Sequence, residues 1–470
     1  MPQCSPAADL SWCRELFPAL KLDVDGHPAA FFDGPGGTQV PLEVLRAVEG
    51  YLTSANANAH GEFITSQRSD ALVDDAREVV RRLLGGTDDH VVAFGANMTT
   101  LNFALARAVG QRLGPGDEVV VTDLDHEANR GPWLALAGRG VAVRSVPVVA
   151  DECRLDMEAL AAAIGPRTRL VAVGYASNAV GTVNDVKRIT ALAHGAGALV
   201  VVDAVHYVPH GAVDMVDLDC DFLLFSAYKL FGPHVGVLCG KREAFRGLRP
   251  DRVRCQKEAP PFNIETGTLN FEGIAGTAAG VRFVARLGGE AGAAAPTSSD
   301  EGGVGSGTGA PGVDAHASAT SGLPGRVPTR GELLAGMAAI AAAEGELGAR
   351  LEAGLAAIPG VRLYGPPAGH PRTPTYSFTV RGASPRDVAR ALGAQGLFVW
   401  DGHFYAQTLV EALGLAAGGG LVRAGLAPYN TAAEVDRLVA AVAEVAAVAE
   451  VAAVAEVAVG AKVAAGAGAV

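Results

Sequence analysis

The chain has 470 residues, of which 49% are hydrophobic, and a formal net charge of −12. A chain of this length and apolar content can bury a large core and form two or more domains. The negative balance and the lack of a basic patch argue against nucleic acid or an anionic membrane as a main partner, because both attract positively charged surfaces.

The cysteines are scattered and show no CxxC spacing, so the sequence predicts neither a disulfide framework nor a metal site. There are six of them: Cys4, Cys13, Cys153, Cys220, Cys239 and Cys255. The first residues lack the positive region and apolar run of a signal peptide, and no apolar stretch has membrane length. We therefore expect reduced thiols in a cytoplasmic enzyme.

The N-terminal part mixes helical and turn signals before a glycine-rich stretch from Phe31 to Pro41. This stretch lacks the lysine of a Walker motif, so a backbone turn is favoured over a phosphate loop. Residues 56–70 are polar and predict an irregular loop before a helix from Leu72 to Leu84. Within this loop, His60 and Arg68 are more simply explained as solvated side chains than as parts of a site.

A strand, a turn and a helix are predicted from Val91 to Val109. Asn97, Met98 and Thr99 stand where that helix begins. A dianionic phosphate gains at such a position from the helix dipole and from unpaired amides. A simple helix cap explains the same residues without a ligand.

Several later strands end abruptly in polar residues, which is typical of a parallel sheet whose chemistry lies at the carboxyl ends of its strands. His126, Asn178 and Asp203 each follow such a strand, and Ser226, Tyr228 and Lys229 follow another. A lysine in an apolar setting is pushed toward the neutral amine that condenses with an aldehyde. The Asp203 carboxylate needs a cationic partner, and the ring nitrogen of pyridoxal phosphate is one such partner.

The motifs D-A-V-H, from Asp203, and S-A-Y-K, ending at Lys229, resemble the fold-type I pyridoxal phosphate enzymes of the aminotransferase class V group. Within that group the chain is similar to the cysteine desulfurase-like, SufS-related branch. The resemblance implies an α/β fold: a large domain with a mainly parallel seven-stranded sheet flanked by helices, and a smaller C-terminal α/β domain.

The corresponding domain prediction has five segments. Residues 1–30 would join the small domain, 31–287 would form the large cofactor-binding domain, and 331–442 the small C-terminal domain. Residues 288–330 are rich in Gly, Ala, Ser and Pro and predict a disordered insertion, because they cannot bury enough apolar surface to offset the ordering entropy. Residues 443–470 predict a low-complexity extension of the last helix.

The resemblance also implies roles for individual residues. Lys229 would be the Schiff-base lysine, Asp203 the partner of the pyridine nitrogen, and His206 a neighbour of the ring hydroxyl. His126 would stack on the cofactor ring, and Asn178 would contact the ring hydroxyl or the substrate. Thr268 would reach the phosphate of the neighbouring subunit's cofactor, so a homodimer with shared active sites is expected.

The substrate side would be formed by the C-terminal part. The segment with Arg423, Tyr429 and Asn430 resembles the family motif whose arginine holds the substrate α-carboxylate, a role that suits a bidentate guanidinium. His403 is assigned to the same side. A surface arginine, a capping histidine and a turn asparagine are the alternatives for Arg423, His126 and Asn178.

The sequence departs from the family at two positions. Tyr405, in the loop WDGHFYAQ, stands where cysteine desulfurases have the cysteine that accepts the substrate sulfur. A phenol cannot accept sulfur as a persulfide, although it can hydrogen-bond or relay a proton. Another cysteine, such as Cys255, remains open as an acceptor. The second departure is Tyr228, where many relatives have a histidine at the phosphate.

We therefore expect an enzyme that acts on the α-amine of a small amino-acid substrate, with β-elimination at a carbon–sulfur bond favoured over transamination and epimerisation. Lys229, His126, Asp203 and Tyr405 would carry the chemistry. A nicotinamide-dependent oxidoreductase is disfavoured, because no G-x-G-x-x-G follows the first strand. A non-catalytic pyridoxal phosphate-binding protein is the remaining alternative.

Overall fold

A computed structural model of the chain describes residues 9–293 and 325–467. The chain divides into two compact units. Unit 1 consists of Met1–Pro18, Thr38–Leu113 and Val208–Ala343, and unit 2 of Ala19–Gly37, Gly114–Tyr207 and Glu344–Val470. The domain boundaries expected from the sequence remain a prediction, and most of the expected insertion at 288–330 lies outside the described residues, as do the last three residues of the expected tail.

Seven strands form the large sheet: β1 (His90–Gly95), β2 (Glu118–Thr122), β3 (Ala142–Val146), β4 (Thr168–Gly174), β5 (Leu199–Asp203), β6 (Phe222–Ser226) and β7 (Gly236–Lys241). Their order is β1-β7-β6-β5-β4-β2-β3. The strands β2, β3, β4 and β5 pair in parallel, and β7 is antiparallel to both of its neighbours. The predicted mainly parallel seven-stranded sheet is confirmed.

A second sheet has four strands: β8 (Val361–Tyr364), β9 (Thr375–Val380), β10 (Trp400–Gly402) and β11 (Leu421–Gly425). Their order is β8-β9-β11-β10, and all three pairs are antiparallel. The side chains of this sheet build the core of unit 2 with neighbouring helices; Phe378, Val422 and Leu438 are fully buried there.

The helices cover the apolar faces of these sheets. They are α1 (Leu42–Ser54), α2 (Ile64–Leu83), α3 (Met98–Gly110), α4 (Gly131–Leu134), α5 (Met157–Ala163), α6 (Val186–Gly195), α7 (Met215–Leu218), α8 (Arg242–Arg246), α9 (Phe271–Ala293), α10 (Arg330–Ala356), α11 (Pro385–Gly393), α12 (Gln407–Ala412) and α13 (Ala432–Ala467). In unit 1, α9 packs against α1 and α2. None of the described helices has the length and apolar character needed to cross a membrane.

The polar loop predicted for residues 56–70 is wrong in its second half, because α2 already begins at Ile64. The serines that suggested a loop point inward. Ser66 Oγ donates to the Asn58 carbonyl at 2.6 Å, and Ser69 Oγ donates to the Ala57 carbonyl at 2.7 Å. These side chains bind the backbone of the preceding turn, so the helix buries polar residues that it uses as anchors.

The last helix, α13, continues through the Ala- and Val-rich repeat as far as Ala467. Beyond residue 443 it still buries Ala446 and Ala449. Ala446 belongs to the core cluster of unit 2. The first part of the repeat is therefore packed against that core.

Candidate active site

Lys229 closes a short 3-10 turn, Ala227–Lys229, that follows the end of β6. Its side chain is buried, with 6% of the residue surface exposed. Thr38 fixes the turn: its backbone N–H donates to the Tyr228 carbonyl at 3.1 Å, and its hydroxyl oxygen accepts the Phe231 N–H at 2.8 Å. The lysine is therefore held in one place by contacts within unit 1.

The start of α3 contacts the same strand end. Asn97 caps the helix, because its Oδ1 accepts the Thr100 N–H at 2.9 Å. The Met98 N–H donates to Ser226 Oγ at 3.0 Å. The Thr99 N–H has no acceptor within the helix, since a helix leaves its first four N–H groups without one. A helix start with such a group attracts an anion, which suits the predicted phosphate-binding role of these residues.

Gly236 lets this helix start approach the sheet closely. A Cβ atom at Gly236 would lie 2.3 Å from the carbonyl carbon of Asn97, which no side chain allows. The first residue of β7 must therefore be glycine for the Asn97 backbone to keep its position. The start of α3 is therefore in close contact with the first residue of β7.

Tyr228, the residue before the lysine, stacks on His234. The ring centroids are 4.9 Å apart and the planes are inclined by 18°. The stack holds the phenol ring against the chain that follows the lysine turn. A contact of Tyr228 with the cofactor phosphate remains a prediction.

In unit 2, the ends of β2, β4 and β5 are joined through Gly174. Asp125 Oδ1 accepts the Gly174 N–H, and Asn129 Nδ2 donates to the other carboxylate oxygen, both at 2.9 Å. Gly174 pairs in register with Asp203, whose Oδ1 accepts the Val205 N–H at 3.0 Å. Burial above all, assisted by the charge of Asp203, raises the pKa of the Asp125 carboxyl to about 7. Asp203 thus lies at its strand end beside a second carboxyl group.

His126 stacks on Tyr405, with ring centroids 5.4 Å apart and planes inclined by 28°. The Ala128 N–H donates to His126 Nδ1 at 2.9 Å, so the neutral imidazole carries its proton on Nε2. The Glu127 N–H donates to the Tyr405 carbonyl at 2.7 Å. The tyrosine is therefore bound to the chain that follows β2 through both its ring and its backbone.

Contacts within the loop also fix Tyr405. The Tyr405 N–H donates to His403 Nδ1 at 3.1 Å, and the two rings meet edge to face. Phe404 and Tyr405 have positive φ angles of 53° and 59°, which non-glycine residues rarely adopt. Such a conformation costs free energy and persists where surrounding contacts impose it.

Arg423 lies on β11 and is 3% exposed. Its Nη1 donates to the Asn178 carbonyl at 2.8 Å, and its guanidinium carbon lies 4.2 Å from the centroid of the Phe404 ring. The Asn178 side chain binds the same loop, since its Nδ2 donates to the Phe404 carbonyl at 2.8 Å. Asn178 Oδ1 is buried and has no hydrogen-bond partner in the part of the chain that the structure describes. It can accept a hydrogen bond from a ligand.

Asp33 is a second group near Arg423. Its backbone forms an isolated bridge to Gly425. Burial raises the pKa of the Asp33 carboxyl to about 6, and the positive charge of Arg423 acts against this rise. A carboxyl group that titrates near neutral pH thus lies within electrostatic reach of the arginine predicted to bind the substrate carboxylate.

His206, three residues after Asp203, is buried and contacts two hydroxyl groups. Its Nε2 lies 2.9 Å from Thr375 Oγ1 and 3.1 Å from Thr373 Oγ1. Both threonines are buried near the start of β9. A contact of His206 with the ring hydroxyl of a cofactor remains a prediction.

Thr268 lines two cavities of unit 1, of about 440 and 600 Å³. The smaller cavity also contacts Thr100, two residues after the helix start. Among the described residues, no group of three or more His, Cys, Asp or Glu side chains could hold a metal ion.

The predicted site residues thus fall into two sets. Unit 1 contains Asn97, Met98, Thr99, Ser226, Tyr228, Lys229 and Thr268; unit 2 contains His126, Asn178, Asp203, His206, His403, Tyr405 and Arg423. Four residues of these contacts were not predicted from the sequence: Phe404, Thr373, Thr375 and Asp33. They are ordinary residues in the sequence, and only their contacts across the fold reveal them.

The sequence profile of the family described as Aminotransferase class-V matches residues 30–301 and 332–438. A cysteine desulfurase of Dickeya dadantii is 33% identical over 448 residues, which cover 92% of this chain and 95% of the relative. A probable cysteine desulfurase of Mycolicibacterium paratuberculosis is 31% identical over 452 residues, or 93% of this chain. The chain spans 58% of that relative, and 65% and 64% of similar proteins from Mycobacterium leprae and Synechococcus elongatus.

Solved structures of cysteine desulfurases share the fold. The crystal structure of one from Escherichia coli superposes with a TM-score of 0.72 at 28% identity, covering 92% of this chain and 97% of the other. The apo structure of one from Thermococcus onnurineus gives 0.75 at 26% identity, covering 92% and 98%. With the fold, the buried lysine after β6 and the family match together, this chain belongs to the aminotransferase class V family of pyridoxal phosphate-dependent enzymes, in its cysteine desulfurase-like group.

Proposed function

We propose that this enzyme is a lyase that eliminates a sulfur leaving group from the β-carbon of an amino-acid substrate, without forming a persulfide on the loop of Tyr405. The observation that carries the proposal is the contact of Tyr405 with His126. The loop side chain that lies beside the predicted ring-stacking histidine is a phenol, which cannot accept sulfur.

The other cysteines support this proposal. Four of the five described cysteines are buried, namely Cys13, Cys153, Cys220 and Cys239. Burial raises the pKa of the Cys13 thiol to about 12 and that of Cys153 to about 11, and it raises the pKa of the other two as well. A protonated thiol is a poor nucleophile, so none of these four suits sulfur transfer. The exposed Cys255 is the acceptor that the experiment must exclude.

The residues present fit pyridoxal phosphate. The start of α3 offers N–H groups and hydroxyls for the phosphate, and the absence of a side chain at Gly236 lets the Asn97 backbone keep its place at that helix start. The buried Asn178 Oδ1 can accept a hydrogen bond from the ring hydroxyl. When bound, the cofactor supplies an electron-accepting ring that stabilises negative charge at the substrate α-carbon.

We assign the following roles to the residues of this chain. The Lys229 amine would hold the cofactor and would take the α-proton of the substrate. The Asp203 carboxylate would keep the ring nitrogen protonated, and the His126 ring would pack against the cofactor ring. Arg423 binds the substrate carboxylate. Tyr405 can donate a proton to the departing sulfur.

In the net reaction the Cα–H and Cβ–S bonds of the substrate break, and the sulfur leaves as a thiol after taking a proton. The unsaturated amino acid that is left adds water and releases pyruvate and ammonium. No oxidant or reductant is needed. The sulfur therefore leaves with the thiol product and does not stay on the protein.

The test uses the cofactor-loaded protein with L-cysteine and with S-substituted cysteines. We expect pyruvate and thiol in equal amounts and no persulfide on the protein, measured by thiol labelling and mass spectrometry. Cys255→Ser should release pyruvate as fast as the wild type, whereas Tyr405→Cys should acquire a persulfide from L-cysteine. A persulfide on the wild type that disappears in Cys255→Ser would refute the proposal. Transfer of the substrate amino group to a keto acid without pyruvate release would indicate transamination. Inversion at the substrate α-carbon without pyruvate release would indicate epimerisation.

We also propose that the enzyme is a cytoplasmic homodimer in which Thr268 binds the phosphate of the neighbouring subunit's cofactor. Thr268 is exposed and lines the cavities of 440 and 600 Å³, which supports a role at the surface of the protomer. Sedimentation equilibrium should give twice the protomer mass. Thr268→Ala should weaken cofactor binding while the protein remains dimeric; an unchanged cofactor affinity would remove the assignment.

A further inference from the structure

Trp400 is the direct neighbour of Arg423 in the small sheet. On β10 and β11 the two residues pair in register, and Ser377 on β9 pairs with Arg423 from the other side. Directly opposed residues of neighbouring strands project to the same face. Ser377, Arg423 and Trp400 thus form one row on one face of the sheet.

This face is turned toward the loop that contains Asn178. Arg423 donates to the Asn178 carbonyl, and Ser377 Oγ donates to the carbonyl of Ala179. Ser377 and Arg423 therefore contact that loop, and Trp400 lies at the other end of the row. A group bound at Arg423 lies next to the indole.

The indole is fixed on one edge and open on the other. A Cβ atom at Gly36 would lie 2.5 Å from Trp400 Nε1, so the indole packs directly on the backbone of Gly36. The residue is nevertheless 51% exposed, and Tyr405 in the same loop is 68% exposed. A large exposed aromatic side chain beside a ligand-binding residue can pack against an apolar group of the ligand.

Phe404 lies under Arg423, and Tyr405 lies against His126. The predicted carboxylate-binding arginine thus has two aromatic neighbours, which we call the aromatic wall: Trp400 beside it in the sheet and Phe404 under its guanidinium. Free cysteine carries no apolar substituent that could pack against the aromatic wall. A cysteine whose sulfur carries an aromatic substituent has the carboxylate for Arg423 and an apolar group a few bonds away.

We infer that Trp400 is a specificity-determining residue and that the substrate class is the S-aryl and S-arylalkyl conjugates of L-cysteine. This inference rests on the proposed function. It requires only that the substrate carboxylate binds Arg423, because the cross-strand pairing then brings the sulfur substituent to the indole.

The test compares S-benzyl-L-cysteine with S-methyl-L-cysteine, using the cofactor-loaded protein. Binding is followed by the quenching of tryptophan fluorescence and by the visible absorbance, and turnover by pyruvate release. We expect the benzyl compound to bind about tenfold more tightly, since burying part of a phenyl ring supplies that difference. Trp400→Ala should reduce the ratio of the two affinities to about one, and Trp400→Phe should keep most of it.

A matched control is Leu22→Ala, which removes another exposed apolar side chain of unit 2 and should leave the ratio unchanged. Equal affinities in the wild type, or a ratio unaffected by Trp400→Ala, would overturn the inference. Pyruvate from S-methyl-L-cysteine with no preference for the benzyl compound would overturn the inference and leave the proposed function standing. Preferential binding of the benzyl compound without pyruvate release would refute the proposed lyase function and would leave Trp400 as the residue that selects the bound ligand.

Discussion

The Arg423 guanidinium carbon lies 4.2 Å from the centre of the Phe404 ring. Arg423 donates to the backbone carbonyl of Asn178, and the Asn178 side chain donates to the backbone carbonyl of Phe404. The three residues form a closed set in which the arginine is held on an aromatic face. A planar guanidinium stacks on such a face, and its N–H groups lie in the plane in which a carboxylate binds. This geometry supports the substrate-binding role proposed for Arg423.

Arg423→Lys should weaken the binding of amino acids to the cofactor-loaded protein by about 10- to 100-fold, because lysine lacks the bidentate fork. The measurement is a titration followed by visible absorbance. A primary amine without a carboxylate should bind both proteins equally. Arg390→Lys, on the exposed side of α11, is the matched control. Equal losses for the amine and the amino acid would contradict the role.

Asp33→Asn should increase amino-acid affinity at pH 8 by about three- to tenfold, because the carboxylate competes with the substrate for Arg423. The pKa of Asp33 is raised to about 6. Below that pH the wild-type side chain is neutral, so the two proteins should bind alike at pH 5. A pH-independent difference would point to a steric cause.

Asp125→Asn should change the pH dependence of stability in the cofactor-free protein. The folded-state pKa of about 7 exceeds the unfolded value of 3.8, so the stability contributed by Asp125 is complete below pH 3.8 and is lost as the pH rises through 7. The variant should gain up to about 4 kcal/mol over the wild type between pH 4 and pH 8. Urea unfolding at several pH values measures this; parallel curves would contradict it.

Lys229→Ala should not form the yellow species that the wild type forms with pyridoxal phosphate, and borohydride should no longer fix the cofactor to the protein. Lys241→Ala, at the end of β7, is the matched control, because Lys241 pairs with Asp219 and has no assigned role. Equal colour and equal labelling in the Lys229 variant would overturn the assignment of the cofactor-bearing lysine.

The sheet and the strand-end residues could be predicted because both depend on local patterns. Apolar runs that end in polar residues predict buried parallel strands, and Lys229 and Asp203 lie at such ends. The contacts of His206 could not be predicted, since Thr373 and Thr375 are far away in the chain. The start of α2 was mispredicted because buried serines resemble loop residues in a sequence.

Two hydrogen bonds to its main chain fix the path of the loop from Trp400 to Gln407. Asn178 binds the carbonyl of residue 404, and the amide of Glu127 binds that of residue 405. Neither bond depends on which side chain the loop carries. The side chain at position 405 can therefore change while these two bonds preserve the path of the loop.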